Sequence, residues 1–270
     1  MFSGKMSNVF VLLFRHRRLL WEMVRQDVLD RYSGHAFQLF WTVFQPIFVI
    51  GVQITVFTFL FRADTSGQAH FPFPYPVYIL SGLIPWYYCQ EAISRGCFSI
   101  VANGNMVKQV VFPVEIIPVK TTLSALFIQM IALGFLLVFL VVSSGKLPAL
   151  IFLLPLVLLF QCFFITGISY FLAAITPYFH DVKEMVQMFL MTAVYLMPII
   201  YLPTMVPRYF RGVLYLNPFS HMIYVFQDTL FFGQILHGWS WGIFAVESLV
   251  CLFVGFRVFK RLQVMFGNVL

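Results

Sequence analysis

The chain has 270 residues, of which 61% are hydrophobic and only 10% charged, and it carries a formal net charge of +7. Such values lie far from those of a soluble globular domain and exclude water as the main solvent. Its basic residues sit beside hydrophobic runs instead of in one solvated patch, which argues against nucleic acid and for membrane lipids and phosphate groups as partners.

Taken in chain order, the first apolar run, 9–14, ends at Arg15, His16, Arg17 and Arg18 without a small-residue cleavage site, so it does not read as a signal peptide. On a helix, Val9, Leu13, Leu20 and Val24 share one side while Arg15, Arg18, Glu22 and Arg25 share another. This pattern predicts an amphipathic helix lying in the membrane interface, within a cytoplasmic N-terminal segment 1–39. A transmembrane domain, 40–270, follows. Its apolar runs predict spans at 40–61, 77–99, 123–142, 147–175, 185–202 and 239–259. The fourth is longer than a bilayer needs, so it tilts or its ends leave the membrane. Between the fifth and sixth, 203–238 is aromatic but broken by Pro207, Gly212, Pro218 and Gly233, which predicts short re-entrant or interfacial helices. The expected fold is an all-α integral membrane protein of six transmembrane helices.

Orientation follows from positive charge, which is retained on the cytoplasmic side. With the N-terminus inside, only Arg62, Lys146, Arg208 and Arg211 of the 17 Lys and Arg residues fall outside. Both termini are therefore expected in the cytoplasm.

Few residues suggest chemistry. His16, His35, His70, His180, His221 and His237 are scattered singly, and Cys89, Cys97, Cys162 and Cys251 lack metal-ligand spacing and read as small apolar fillers. No G-x-x-x-x-G-K-[ST] phosphate loop occurs; at Gly145-Lys146 the next residue is Leu147. The chain is thus expected not to be an enzyme and to hold no cofactor or metal. Glu91 and Arg95, four apart, are expected to form an ion pair on one helix. Asp228 and Glu247 fall in apolar surroundings and are expected near an interface or facing protein, because a bare mid-membrane carboxylate costs about 2.5–3.5 kcal/mol.

Two further groups are candidates for binding. Arg25 and Arg31 precede the first span, where guanidinium groups could hold a carrier phosphate; the competing reading is a topology signal. In the first span, at about 100° per residue, Phe37, Trp41, Phe44, Phe48, Thr55 and Phe59 fall within an arc of roughly 60°, beside a polar seam of Thr42, Gln45 and Gln53. Sugar rings present apolar C–H faces and hydroxyl edges, so this surface could line a channel for a glycan. The competing reading is an aromatic stripe in lipid, in a chain with 34 phenylalanines.

Several motifs, in order, carry a family resemblance: Arg31 to Gly34 leading into Trp41 and Pro46, Gly82 to Trp86, Asn103-Gly-Asn105, Lys108 to Pro113, Glu115 to Pro118, His180-Asp181-Val182, Pro198 to Tyr201 and Asn217-Pro218. Together they resemble the type 2 permeases of ATP-binding-cassette exporters that carry polysaccharides such as O-antigen, capsule or teichoic acid. The resemblance implies a bacterial cytoplasmic membrane, and a separate ATPase subunit holding ATP and magnesium. It also implies a lipid-linked polysaccharide substrate and a coupling helix within 103–113 that receives force from the ATPase, with Asn103, Asn105, Lys108, Phe112 and Pro113 as its residues. A second copy of the chain is expected on physical grounds as well, since six helices fill their own bundle and a polymer needs a wide path. An exporter of drugs or small lipids, and a membrane-embedded glycan-transferring enzyme, remain the rival readings.

Overall fold

The computed structural model describes residues 9–31, 38–59, 72–109, 113–202, 206, 207, 209 and 211–266. Among these there are eleven α-helices and no strand. The described residues begin with two short helices, α1 (Val9–Arg15) and α2 (Arg17–Asp30), separated at His16. Their apolar side is turned to the protein: Val9 and Val24 are buried, and Leu13 and Leu20 pack against a core cluster. Arg15, Arg17, Arg18, Glu22 and Arg25 are exposed.

Four helical stretches are long and apolar enough to cross a membrane: 40–59 within α3 (Gln38–Phe59), α6 (Ile116–Ser144), 151–175 including α7 (Leu154–Ile175), and 238–265 including α11 (Gly238–Leu262). Each coincides with an expected span. The over-long fourth run is shortened at its start and not divided: α6 ends before it at Gly145, φ 64°, helix begins only with a 3-10 turn at Ile151–Leu153, and Pro155 sits in the first turn of α7. Proline is pre-organised for that position because the missing N–H would have no partner there.

The expected second span is α4 (Tyr75–Ala102), long enough to cross but interrupted by Gln90, Glu91, Ser94 and Arg95. Most of it is buried, and it packs on α3, α6, α7, α8 and α10, which makes it the central post. The expected fifth span is not one continuous helix. Helix α8 (Val182–Ala193) passes into a 3-10 turn, Val194–Leu196, and Met197 is extended. Pro198 is the physical reason: its ring clashes with a helical residue before it.

Past Pro198, α9 (Arg211–Leu216) and α10 (Pro218–Gln227) are short, and α10 runs into a π-turn at Asp228–Phe232 that stops at Gly233. Asn217 caps α10 by accepting from the Phe219 amide. Every side chain from Phe219 to Phe231 is buried, so this segment is enclosed by protein. Helix α5 (Gly104–Gln109) links α4 to α6.

Candidate functional site

Helix α3 is the least covered of the apolar stretches, with only 11% buried inside the chain. Its aromatic side forms a ladder: Phe40 stacks on Phe44 with centroids 4.9 Å apart, Phe44 on Phe48 at 5.6 Å, and Trp41 meets Phe44 edge-on at 5.8 Å. All four rings are exposed, as are Thr55 and Phe59, so this face is available to lipid, to another chain or to a substrate. Thr55 returns its hydroxyl to the Gly51 carbonyl at 2.9 Å. The polar seam does not stay together. Gln45 is exposed, Thr42 is buried, and Gln53 donates to the Tyr87 hydroxyl of α4. Phe37 lies outside the described residues.

Of the expected coupling segment, 103–109 and Pro113 are described. Asn103 closes α4, donating its side-chain amide to the Ser99 carbonyl at 2.7 Å. Asn105, Met106 and Lys108 are exposed on α5, while Val107 packs on the core. Pro113 is half-buried, and Phe112 lies outside the described residues. Just beyond, buried Glu115 pairs with Lys260 at the end of α11, and Tyr170 donates to the Glu115 carbonyl at 2.9 Å. These contacts tie Glu115 to α7 and α11. A recess of about 510 Å³ between Leu12, Val107, Pro113 and Val264 lies against it.

Arg25 and Arg31 have different surroundings. Arg25 is exposed, with Glu22 only within 3.9 Å, whereas Arg31 is mostly buried and pairs with Glu91. Glu91 also meets Arg95 at 3.5 Å, as their spacing requires. Arg95 reaches on to Asp27 of α2 at 2.5 Å, and Asp27 in turn meets Lys120 of α6 at 3.6 Å and accepts from Ser124 at 2.6 Å. Burial alone would raise the Asp27 carboxyl, but the Ser124 hydrogen bond with Arg95 and Lys120 outweighs it and holds the group below the usual carboxylate range. Asp27 and Lys120 carried no sequence signal, because partners 68 to 97 positions away are set only by folding.

A second buried cluster joins α10 to α11. Asp228, fully buried, accepts from the His237 amide at 3.0 Å, His237 Nδ1 at 2.9 Å and Trp241 Nε1 at 3.1 Å. It faces protein, as expected. Nearby, Gly238-Trp-Ser240-Trp-Gly242 has the spacing of a nucleophile elbow, and Ser240 Oγ lies 3.1 Å from His221 Nδ1. The motif is legible in the sequence itself, so its expected absence was mistaken. It opens a helix from a loop instead of following a strand, and both side chains are nearly fully buried, so the pair fastens α10 to α11. Among the described residues no cluster of His, Cys, Asp and Glu is placed to hold a metal.

The ABC-2 type transporter family matches this chain over residues 18–231. Similar relatives include the O-antigen export system permease protein RfbA of Klebsiella pneumoniae, 25% identical over 93% of this chain and 95% of the relative. RfbA of Myxococcus xanthus is 26% identical over 92% and 94%, and the polysialic acid transport protein KpsM of Escherichia coli is 22% identical over 87% and 90%. The matched region runs from the exposed arginines of α2, through the central post α4, to the enclosed α10, and a chain of apolar helices matched over that extent belongs to the ABC-2 type transporter family of membrane proteins.

Proposed function

We propose that this chain is the membrane permease subunit of an ATP-driven exporter that moves a lipid-linked polysaccharide, O-antigen-like or capsular, across the bacterial cytoplasmic membrane. Likeness to O-antigen and polysialic acid export proteins over nearly the whole of both chains is the observation that carries this reading. In it, six crossings are made by α3, α4, α6, α7, the α8 segment and α11, with both termini cytoplasmic and 1–39 forming the interfacial N-terminal segment ahead of the transmembrane domain 40–270. The fifth crossing is completed by non-helical backbone past Pro198, which is tolerated at membrane depth where protein encloses it. Two copies enclose the path, with the aromatic ladder of α3 turned toward it. A separate ATPase holding ATP and magnesium docks on α5 through Asn105 and Lys108. Arg25 and Arg31 meet the carrier phosphate at the inner surface, Arg31 by exchanging Glu91 for it.

The test is genetic and chemical. Deleting the gene should leave lipid-linked polysaccharide inside the cell, and the plasmid-borne chain should return it to the surface. Unchanged surface polysaccharide in the deletion strain would reject the cargo, and loss of drug efflux instead would favour the small-molecule exporter.

A further inference from the structure

We propose that the cleft between α2, α3 and α6 holds one anionic phospholipid of the cytoplasmic leaflet, its phosphate between Arg17 and Arg25 and an acyl chain along α6. The cleft has a volume of about 610 Å³ and a floor of apolar side chains, among them Leu20, Val28, Val43, Leu126 and Met130. Arg17, Trp21 and Arg25 also line it and recur every four residues, which sets them along one ridge of α2. Both guanidiniums are exposed: Arg17 lies 4.5 Å over the Phe14 ring, and the Arg25 side chain, 66% exposed, has Glu22 no nearer than 3.9 Å. Each keeps fork-shaped donors for a phosphate, whereas Arg31, Arg95 and Lys120 are engaged with Glu91 and Asp27.

Head and tail fall at the correct ends. Lys120, tied to Asp27, marks the charged end of α6, and the cleft begins at Leu123 and runs away from that end. From Leu123 to Ile131 the helix rises about 12 Å, close to the roughly 15 Å of hydrocarbon in one leaflet. One ordinary acyl chain fills that length, and a much longer isoprenoid would leave the cleft. Trp21 on the rim suits the headgroup level, where indole rings collect. A phospholipid seated here would bridge α2 to the first crossing. The inference rests only on the membrane family, and Arg25 is the residue for which it competes with the carrier reading.

The test uses the full-length chain, delipidated in detergent, with phosphatidylglycerol or phosphatidylcholine of identical acyl chains titrated and bound lipid counted by native mass spectrometry. One phosphatidylglycerol per chain should bind in preference to phosphatidylcholine. Arg17→Gln with Arg25→Gln should weaken it by roughly 10- to 30-fold, as expected for two cations lost from an anionic headgroup, and weaken phosphatidylcholine, whose choline already offsets its own phosphate, far less. Arg17→Lys with Arg25→Lys should keep most of the preference, which separates lost charge from a folding defect, and Leu126→Trp should weaken both lipids by filling the cleft. Equal binding of the two lipids, or full binding in the Gln variant, overturns the proposal. So does a polyprenyl phosphate that outcompetes phosphatidylglycerol and responds to the same variants, since the cleft would then belong to the carrier.

Discussion

Gly167 of α7 and Gly255 of α11 face each other at backbone contact: a Cβ on Gly255 would collide with the Gly167 carbonyl, and one on Gly167 with the backbone at Cys251. Between apolar helices no hydrophobic force favours association over lipid, so close backbone packing of small residues supplies it. Gly167→Leu or Gly255→Leu should destabilise the protein by about 3 kcal/mol or more, the upper end for overpacking, because backbone cannot yield as a side chain does. Gly134→Ala, where an added Cβ meets open space, should cost nothing. Yield and thermal unfolding in detergent measure both.

Asp27 ties α2 to α4 and α6 through Arg95, Lys120 and Ser124. Asp27→Asn should loosen α2 by about 1–3 kcal/mol, the cost of leaving partly buried cations short of a partner. Its folded pKa is depressed, so the stabilisation is fully present above the ordinary value of 3.8 and is lost as pH falls through the lower folded value. Exchange protection of α2, taken relative to the intrinsic amide rate at each pH, should therefore be unchanged from neutral pH down to the ordinary carboxylate range and fall below it. An equal fall in the Asn variant over that acid range would assign the effect to another group.

Topology is checked by single cysteines and an impermeant thiol reagent applied to sealed cells. Positions beside Asp64 and Arg208 should label, and positions at Lys108 and Lys183 should not. Labelling at Lys108 would invert or abolish the six-crossing arrangement.

Replacing Lys108 and Phe112 together should uncouple ATP hydrolysis from export or release the ATPase, with membrane insertion intact. Lys108 is exposed on α5, and the segment is anchored through Asn103 and the Glu115–Lys260 pair, so replacing Lys108 leaves those anchors in place. A double variant that exports normally and still stimulates the ATPase removes α5 from the coupling role.

Trp41→Leu, Phe44→Leu and Phe48→Leu together keep α3 apolar and remove its stacked rings. Surface display of long chains should fall by about tenfold while ATP hydrolysis continues, in line with the roughly 0.5–1.5 kcal/mol of one lost aromatic contact. Wild-type display, or crosslinking of these positions to lipid alone, would return the ladder to a lipid-facing stripe.

Local pattern was enough to determine the apolar helices. The runs at 40–61, 123–142 and 239–259 became α3, α6 and α11 because a segment of that length and hydrophobicity satisfies its own backbone only as a helix. The ion pair of Glu91 with Arg95 was legible for the same reason, since four residues along a helix bring side chains together. Ordered motifs likewise carried the family. Only the tertiary structure decided which faces of those helices meet. Thr42 and Gln45 share a sequence seam, yet one is buried and the other exposed, because α2 and α6 cover one flank of α3. Asp27 found Lys120, and Asp228 found His237 and Trp241, through helix docking that no short-range spacing encodes. The run 185–202 read as a span by composition, but Pro198 and the neighbouring α10 compete for its end, and the extended backbone at Met197 prevailed.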